Sequence, residues 1–109
     1  MSIKTISRDE LKEKLDRGDT FKLVMALGDA AFHAKHIPGS IHFASPVEAA
    51  NSLMRDEEIV VYCSDEACIS SQYAYHLLVQ KGFANVRRYS GGLSDWEAAG
   101  YALEGEMVG

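Results

Sequence analysis

The segment IVVYCSDEACISSQYAYHLL, residues 59–78, runs three patterns together. Ile59 to Tyr62 form a nearly continuous apolar run rich in β-branched residues, as a strand does when a parallel sheet buries both its faces. The run ends on Cys63. A short polar turn follows and carries the chain's only other cysteine, Cys68. From Ile69 onward the apolar residues recur at helical spacing, with Tyr73 and Leu77 on one stripe and Ala74 and Leu78 on the next, until Gly82 provides a stop. Strand, loop and helix in this order are half of a parallel α/β unit.

The same alternation extends outward in both directions. Upstream, IKTI (3–6) reads as a short first strand. A helix follows over SRDELKEKLDRG, with Ser7 and Glu10 as a capping box, Ile6 and Leu11 as a hydrophobic staple, and Gly18 as the stop. Phe21–Leu27 reads as a strand, DAAFHAKH as a short helix, and Ser40–Ala44 as another strand after the turn HIPGS. Ser45-Pro46-Val47-Glu48 is a second capping box, with proline at the favoured first helical position, and opens a helix to about Met54. Downstream, NVRRY is a last strand. After the glycine pair, Ser94 and Glu97 read as a third capping box opening the helix that carries Trp96. Short strands alternating with helices predict an α/β fold around a parallel sheet. With 109 residues and no internal repeat or linker, one domain spanning residues 1–109 is expected.

Composition narrows the function. The net charge of −5 and the scattered basic residues, whose only adjacent pair is Arg87-Arg88, argue against nucleic acid or an anionic membrane surface as partner. No apolar run reaches the ~20 residues of a membrane span. The N-terminus lacks the apolar core of a signal peptide, so a cytoplasmic location is the expectation. In a reducing compartment, two cysteines read as reactive or incidental before they read as a structural disulfide.

In a parallel α/β sheet ligands bind beyond the carboxyl ends of the strands, and Cys63 falls at such an end. Loop N–H groups and the dipole of the helix starting near Ile69 present positive potential there, which favours thiolate over thiol. The competing reading is a small buried hydrophobe at a strand end. Other chemistries fit less well. A cysteine phosphatase needs an arginine clamp in this loop, yet the sixth residue after Cys63 is Ile69 and the loop is acidic. A zinc site from Cys63, Cys68, His36 and His76 would draw on histidines far apart in sequence. His36 reads instead as ordering the turn before Pro38, and Trp96 and the tyrosines as packing residues. The expectation is therefore a site with no metal and no organic cofactor.

Three stretches in register resemble the rhodanese-like family: FHAKHIPGSIHF around His36-Ile37-Pro38-Gly39, the strand-end Cys63 with its loop and helix, and Gly91-Gly92-Leu93-Ser94-Asp95-Trp96. The resemblance covers nearly the whole chain. It implies a central five-stranded parallel sheet with helices on both faces. It implies also that Cys63 accepts sulfane sulfur as a persulfide within an active-site loop of Ser64, Asp65, Glu66, Ala67, Cys68 and Ile69. The partners would be a sulfur donor and a thiol or protein acceptor. Where the family usually has an Asp-x-Arg pair this chain has Met25 and Leu27, and no Lys or Arg occurs from Cys63 through Gln80. Asp65 and Glu66 would repel a dianion such as thiosulfate and raise the thiol pKa, so a persulfide or polysulfide is the expected donor. Cys68 reads either as a resolving thiol that attacks the Cys63 persulfide or as filler at the base of the loop. A catalytically idle interaction or sulfur-sensing module, and a dithiol redox protein using Cys63 and Cys68, remain as alternatives.

Overall fold

The structure is a computed structural model and describes residues 3–43 and 45–108. Nine elements alternate along the described residues: α1 (Arg8–Arg17), β1 (Lys22–Met25), α2 (Asp29–Ala34), β2 (Ile41–His42), α3 (Pro46–Ser52), β3 (Glu58–Tyr62), α4 (Ile69–Gln80), β4 (Asn85–Arg88) and α5 (Gly92–Ala98). The strands form one parallel sheet in the order β2-β1-β3-β4.

The sheet has four strands rather than the five expected. The IKTI segment makes only a single bridge, Thr5 to Arg88, at the outer edge of β4. The Arg88 N–H donates to Lys4 O (2.8 Å) and the Ile6 N–H to Arg88 O (3.1 Å). The ladder stops there because Ser7 caps α1 immediately afterwards, its hydroxyl accepting from the Glu10 N–H. The expected strand Ser40–Ala44 shortens to Ile41–His42 because Ser40 still belongs to the preceding turn, its N–H and hydroxyl both donating to Ile37 O. Ala44 itself lies outside the described residues.

Period-two alternation puts helices on both faces. Leu23, Met25, Val60 and Tyr62 point to one side, where they pack with Leu11 of α1, Ile37, Tyr89 and Trp96 of α5. Val24, Ile59, Val61 and Val86 point to the other and meet Ala50 of α3 and Ala74, Tyr75 and Leu78 of α4. Burying both faces explains why β3 reads as a continuous apolar run, with Ile59 to Tyr62 all at 0% exposure. On α4 the buried stripe is Ser71, Ala74, Tyr75 and Leu78, while Tyr73 stands in solvent.

The third capping box is overturned. α5 begins at Gly92, so Ser94 sits inside its first turn. Gly92 adopts φ +64°, and the Leu93 and Ser94 N–H groups donate to Cys63 O (2.9 Å) and Ser64 O (2.8 Å). Backbone carbonyls at the end of β3 thus take the role a serine cap would have filled.

Candidate active site

Cys63 follows β3 directly and is 1% exposed. Its sulfur is joined to Cys68 in a disulfide whose Cα atoms lie 6.4 Å apart, within the ordinary span of such a bond. Cys68 occupies the N-cap position of α4 and is half-buried, so the two sulfurs differ in access. The Ser71 hydroxyl, in the first turn of α4 and 1% exposed, donates to Cys63 Sγ at 3.4 Å.

The intervening loop folds on itself. Asp65 Oδ1 accepts from the Ala67 N–H (3.0 Å) and Asp65 O from the Cys68 N–H (3.2 Å). Two of the amides expected to cradle the sulfur are therefore engaged inside the loop while the disulfide is closed. Asp65, Glu66 and Ala67 are exposed, as is Ile69 at the start of α4. Ser64 is partly covered by α5.

Gly92 is where the loop and α5 meet. A Cβ there would fall 2.5 Å from Cys63 O and 2.9 Å from Asp65 N, so a side chain cannot be accommodated without moving backbone. The missing side chain at Gly92 thus lets α5 approach the cysteine loop closely.

Two tyrosines brace the opposite side. The Tyr62 hydroxyl accepts from the Ile37 N–H (3.0 Å) and donates to Ser40 Oγ (2.9 Å), fixing the His36-Ile37-Pro38-Gly39 turn against the residue next to Cys63. Burial pushes its pKa up. Tyr89 donates to Asp95 Oδ2 (2.6 Å), whose other oxygen accepts from Arg8 Nη1 (3.0 Å). Burial first, and then this bond to a carboxylate, raise the Tyr89 pKa.

The structure does not gather the four candidate zinc ligands. Both sulfurs are taken up in the disulfide, His36 Nδ1–H donates to Phe32 O (2.7 Å), and His76 lies exposed on α4. Among the described residues no group of three or more His, Cys, Asp or Glu is poised for a metal ion. No described helix is long and apolar enough to cross a membrane.

Sequence reasoning missed Arg88. Its side chain is 6% exposed and runs under the loop. Nε donates to Ser71 Oγ (2.8 Å), and Nη2 donates to Glu66 O (3.0 Å) and Cys68 O (3.3 Å). The signal was strand periodicity: Val86 and Arg88 share a face of β4, and Arg88 is in register with Val61, two residues before Cys63. In the sequence it registers only as one member of the adjacent basic pair. Arg87, on the other face, does bind carboxylates, those of Glu10 (2.8 Å) and Glu58 (3.4 Å).

The comparisons agree with this geometry. The family profile described as rhodanese-like domain matches residues 7–99. A thiosulfate sulfurtransferase, GlpE of Pseudoalteromonas translucida, is 35% identical over 103 residues, covering 91% of this chain and 93% of that protein. The solution structure of a rhodanese-like domain from Anabaena superposes with a TM-score of 0.82 at 28% identity, covering 98% of this chain and 82% of that one. A crystal structure of a Bacillus halodurans protein gives 0.86 at 22% identity over 95% of this chain and 78% of its own, a likeness of fold. With the cysteine loop, the His-Ile-Pro-Gly turn and the glycine pair all meeting around the end of β3, the chain belongs to the rhodanese-like domain family.

Proposed function

We propose that this chain, acting as one rhodanese-like domain, is a sulfurtransferase that carries sulfane sulfur on Cys63, with Cys68 as its resolving thiol. The observation that carries the reading is the pairing itself: Cys63 sits buried at the strand end, within disulfide reach of a second, more accessible sulfur. The Cys63 thiolate attacks the outer sulfur of a persulfide or polysulfide. The donor's S–S bond breaks, its electron pair leaves with the donor thiolate, and Cys63 holds a persulfide. An acceptor thiolate then takes the outer sulfur and restores the Cys63 thiolate. In the absence of an acceptor, Cys68 attacks Cys63 Sγ and expels hydrosulfide, leaving the disulfide seen here. An external dithiol reopens it. Its thiolate meets the half-buried Cys68 more readily than Cys63, forms the mixed disulfide there, and releases Cys63 as the thiolate. Thiosulfate, the donor in the name of the 35%-identical relative, is disfavoured here by the exposed Asp65 and Glu66 at the entrance.

The test is intact mass spectrometry of the reduced protein after brief exposure to polysulfide, on wild type, Cys63→Ser and Cys68→Ser. One sulfur atom adds about 32 Da, and the adduct should require Cys63, the reactive thiolate. Accumulation only in Cys68→Ser establishes the resolving role. The disulfide also favours a second reading, a dithiol redox protein, which predicts reversible oxidation in wild type and no adduct in any form. An inert Cys63 that also resists alkylation would sink both and leave an interaction module.

A further inference from the structure

We infer that Arg88, acting through the Ser71 hydroxyl, is the positioning cation of this site: it holds Cys63 as a thiolate and supplies from β4 the positive charge that the loop lacks. The chain of contacts is continuous and buried. Arg88 Nε donates to Ser71 Oγ at 2.8 Å, and Ser71 Oγ donates to Cys63 Sγ at 3.4 Å, so the guanidinium lies within about 6 Å of the sulfur. The hydroxyl is the donor because Cys63 Sγ, bonded to Cys68, carries no proton, and the Arg88 Nε–H takes one of the hydroxyl's lone pairs while its proton remains for the sulfur. Among the described residues the Arg88 side chain donates to a hydroxyl and two carbonyls and to no carboxylate. A buried guanidinium without a counter-ion is costly unless an anion appears beside it, and the anion that chemistry at this site creates is the Cys63 thiolate.

The other charged groups around Cys63 do not substitute for Arg88. The first turn of α4 holds no acid, and Asp95 of α5 is already held by Arg8 and Tyr89. From the loop come only Asp65 and Glu66, both exposed and of the opposite sign. The Arg88 side chain is also anchored outside the loop. Its backbone is held on one side by β3 and on the other by Lys4 and Ile6, and Nε is held by Ser71 of α4, none of which depends on the disulfide. The same arrangement serves two steps: the attack of Cys63 on a donor sulfur, and the departure of Cys63 when a thiolate attacks Cys68. In the second, the S–S bond breaks, its electron pair goes to Cys63 Sγ, and the new bond joins Cys68 to the incoming sulfur.

The test measures the pH dependence of Cys63 alkylation by iodoacetamide, followed by intact mass, in a Cys68→Ser background with and without Arg88→Met, Arg88→Lys and Ser71→Ala. Thermal unfolding monitors the fold. A cation at about 6 Å in a partly buried setting supports a shift of about 1–2 pKa units. Arg88→Met should therefore move the alkylation midpoint up by that amount, slowing the reaction about 10- to 100-fold at a pH below both midpoints. Arg88→Lys should fall between, keeping the charge and losing the fork. Ser71→Ala keeps the charge and loses only the hydrogen bond to sulfur, so it should move the midpoint up by less, about 1 unit. With both cysteines present, each unit should favour the disulfide over an external dithiol by about 10-fold, or about 30 mV. An unchanged midpoint in Arg88→Met or in Ser71→Ala, with cooperative unfolding retained, overturns the inference. If Arg88→Met fails to fold, Ser71→Ala decides, since it breaks the link and leaves the cation in place. Alkylation needs no sulfur donor, so this result is independent of whether the protein transfers sulfur.

Discussion

Gly92→Ala should damage this protein far more than the chemically identical change at Gly100. Both glycines have positive φ, +64° and +79°, so both substitutions carry the left-handed penalty of about 1–2 kcal/mol. They differ in what the new methyl meets. At Gly100 nothing lies within 4 Å, whereas at Gly92 the Cβ would be 2.5 Å from Cys63 O and 2.9 Å from Asp65 N. Relief requires the start of α5 to retreat by nearly an ångström from the end of β3. That movement stretches the bonds from Leu93 N–H to Cys63 O and from Ser94 N–H to Ser64 O. Each is worth about 1 kcal/mol, more where the carbonyl is left buried without a donor. Gly92→Ala should therefore cost about 3–4 kcal/mol in all. At about 4–8 °C per kcal/mol for a domain of this size, the two melting temperatures should separate by about 10 °C or more. Thermal unfolding followed by Trp96 fluorescence and near-UV circular dichroism reads the difference. Equal losses in the two variants would show that α5 does not press on the cysteine loop, and the account of Gly92 would fail.

Reducing the disulfide closes a different comparison: in the chain-entropy picture a loop of about six residues contributes about 2 kcal/mol, so denaturant midpoints with and without reductant should differ accordingly. Cys68→Ser should behave like the reduced wild type, and a variant as stable as the oxidised protein would refute this. Tyr62→Phe leaves the buried Ile37 N–H without an acceptor and should cost about 1–3 kcal/mol by urea titration. Alkaline pH should act through the same hydroxyl. Tyr62 and Tyr89 both have pKa values raised above the ordinary tyrosine value near 10, so above that pH the unfolded chain loses protons that the folded chain keeps. Their contribution is fully present below about pH 10 and lost as pH rises further, and Tyr62→Phe should show a shallower decline between pH 9 and 11. An equal slope in both proteins would contradict the burial assigned to Tyr62.

Most of the fold was legible because local signals agreed with one another. The Ser7 and Ser45 caps, Gly18, and the apolar run of β3 each specify an element without help from distant residues. Failures came where a distant partner overrode the local signal. Ser94 and Glu97 look like a capping box, yet the orphan amides at the start of α5 find Cys63 O and Ser64 O, carbonyls some thirty residues away in the chain. The missing fifth strand has a local origin instead: the Ser7 cap ends the extended segment after one bridge. For the candidate site, strand-end position and helix start single out Cys63, Cys68 and the loop in the sequence, and the structure adds the bond between the two sulfurs. Arg88 could not be found that way. Its role depends on the juxtaposition of β4 with β3 and α4, which no local pattern encodes, although its alternation with Val86 already aimed it inward.

The inward position of Arg88 also separates two electrostatic tasks that the loop sequence sets in conflict. At an effective dielectric near 20, a guanidinium about 6 Å from a thiolate is worth about 3 kcal/mol. The exposed carboxylates of Asp65 and Glu66 act largely through water, which weakens each charge by up to about fourfold at equal distance. The buried charge therefore governs the state of Cys63, and the exposed charges govern what approaches it. Salt should distinguish the two, because it screens the surface and hardly reaches the interior. With thiosulfate, a dianion, the rate of Cys63 sulfuration should rise as ionic strength increases from about 0.01 to 0.15 M, where the Debye length falls from about 30 to 8 Å. With an uncharged organic trisulfide it should stay constant, and Asp65→Asn with Glu66→Gln should abolish the thiosulfate effect while leaving the alkylation midpoint of Cys63 nearly unmoved. A thiosulfate rate that falls with salt would mean that the entrance attracts anions, and that Arg88 reaches beyond the thiolate to the donor itself.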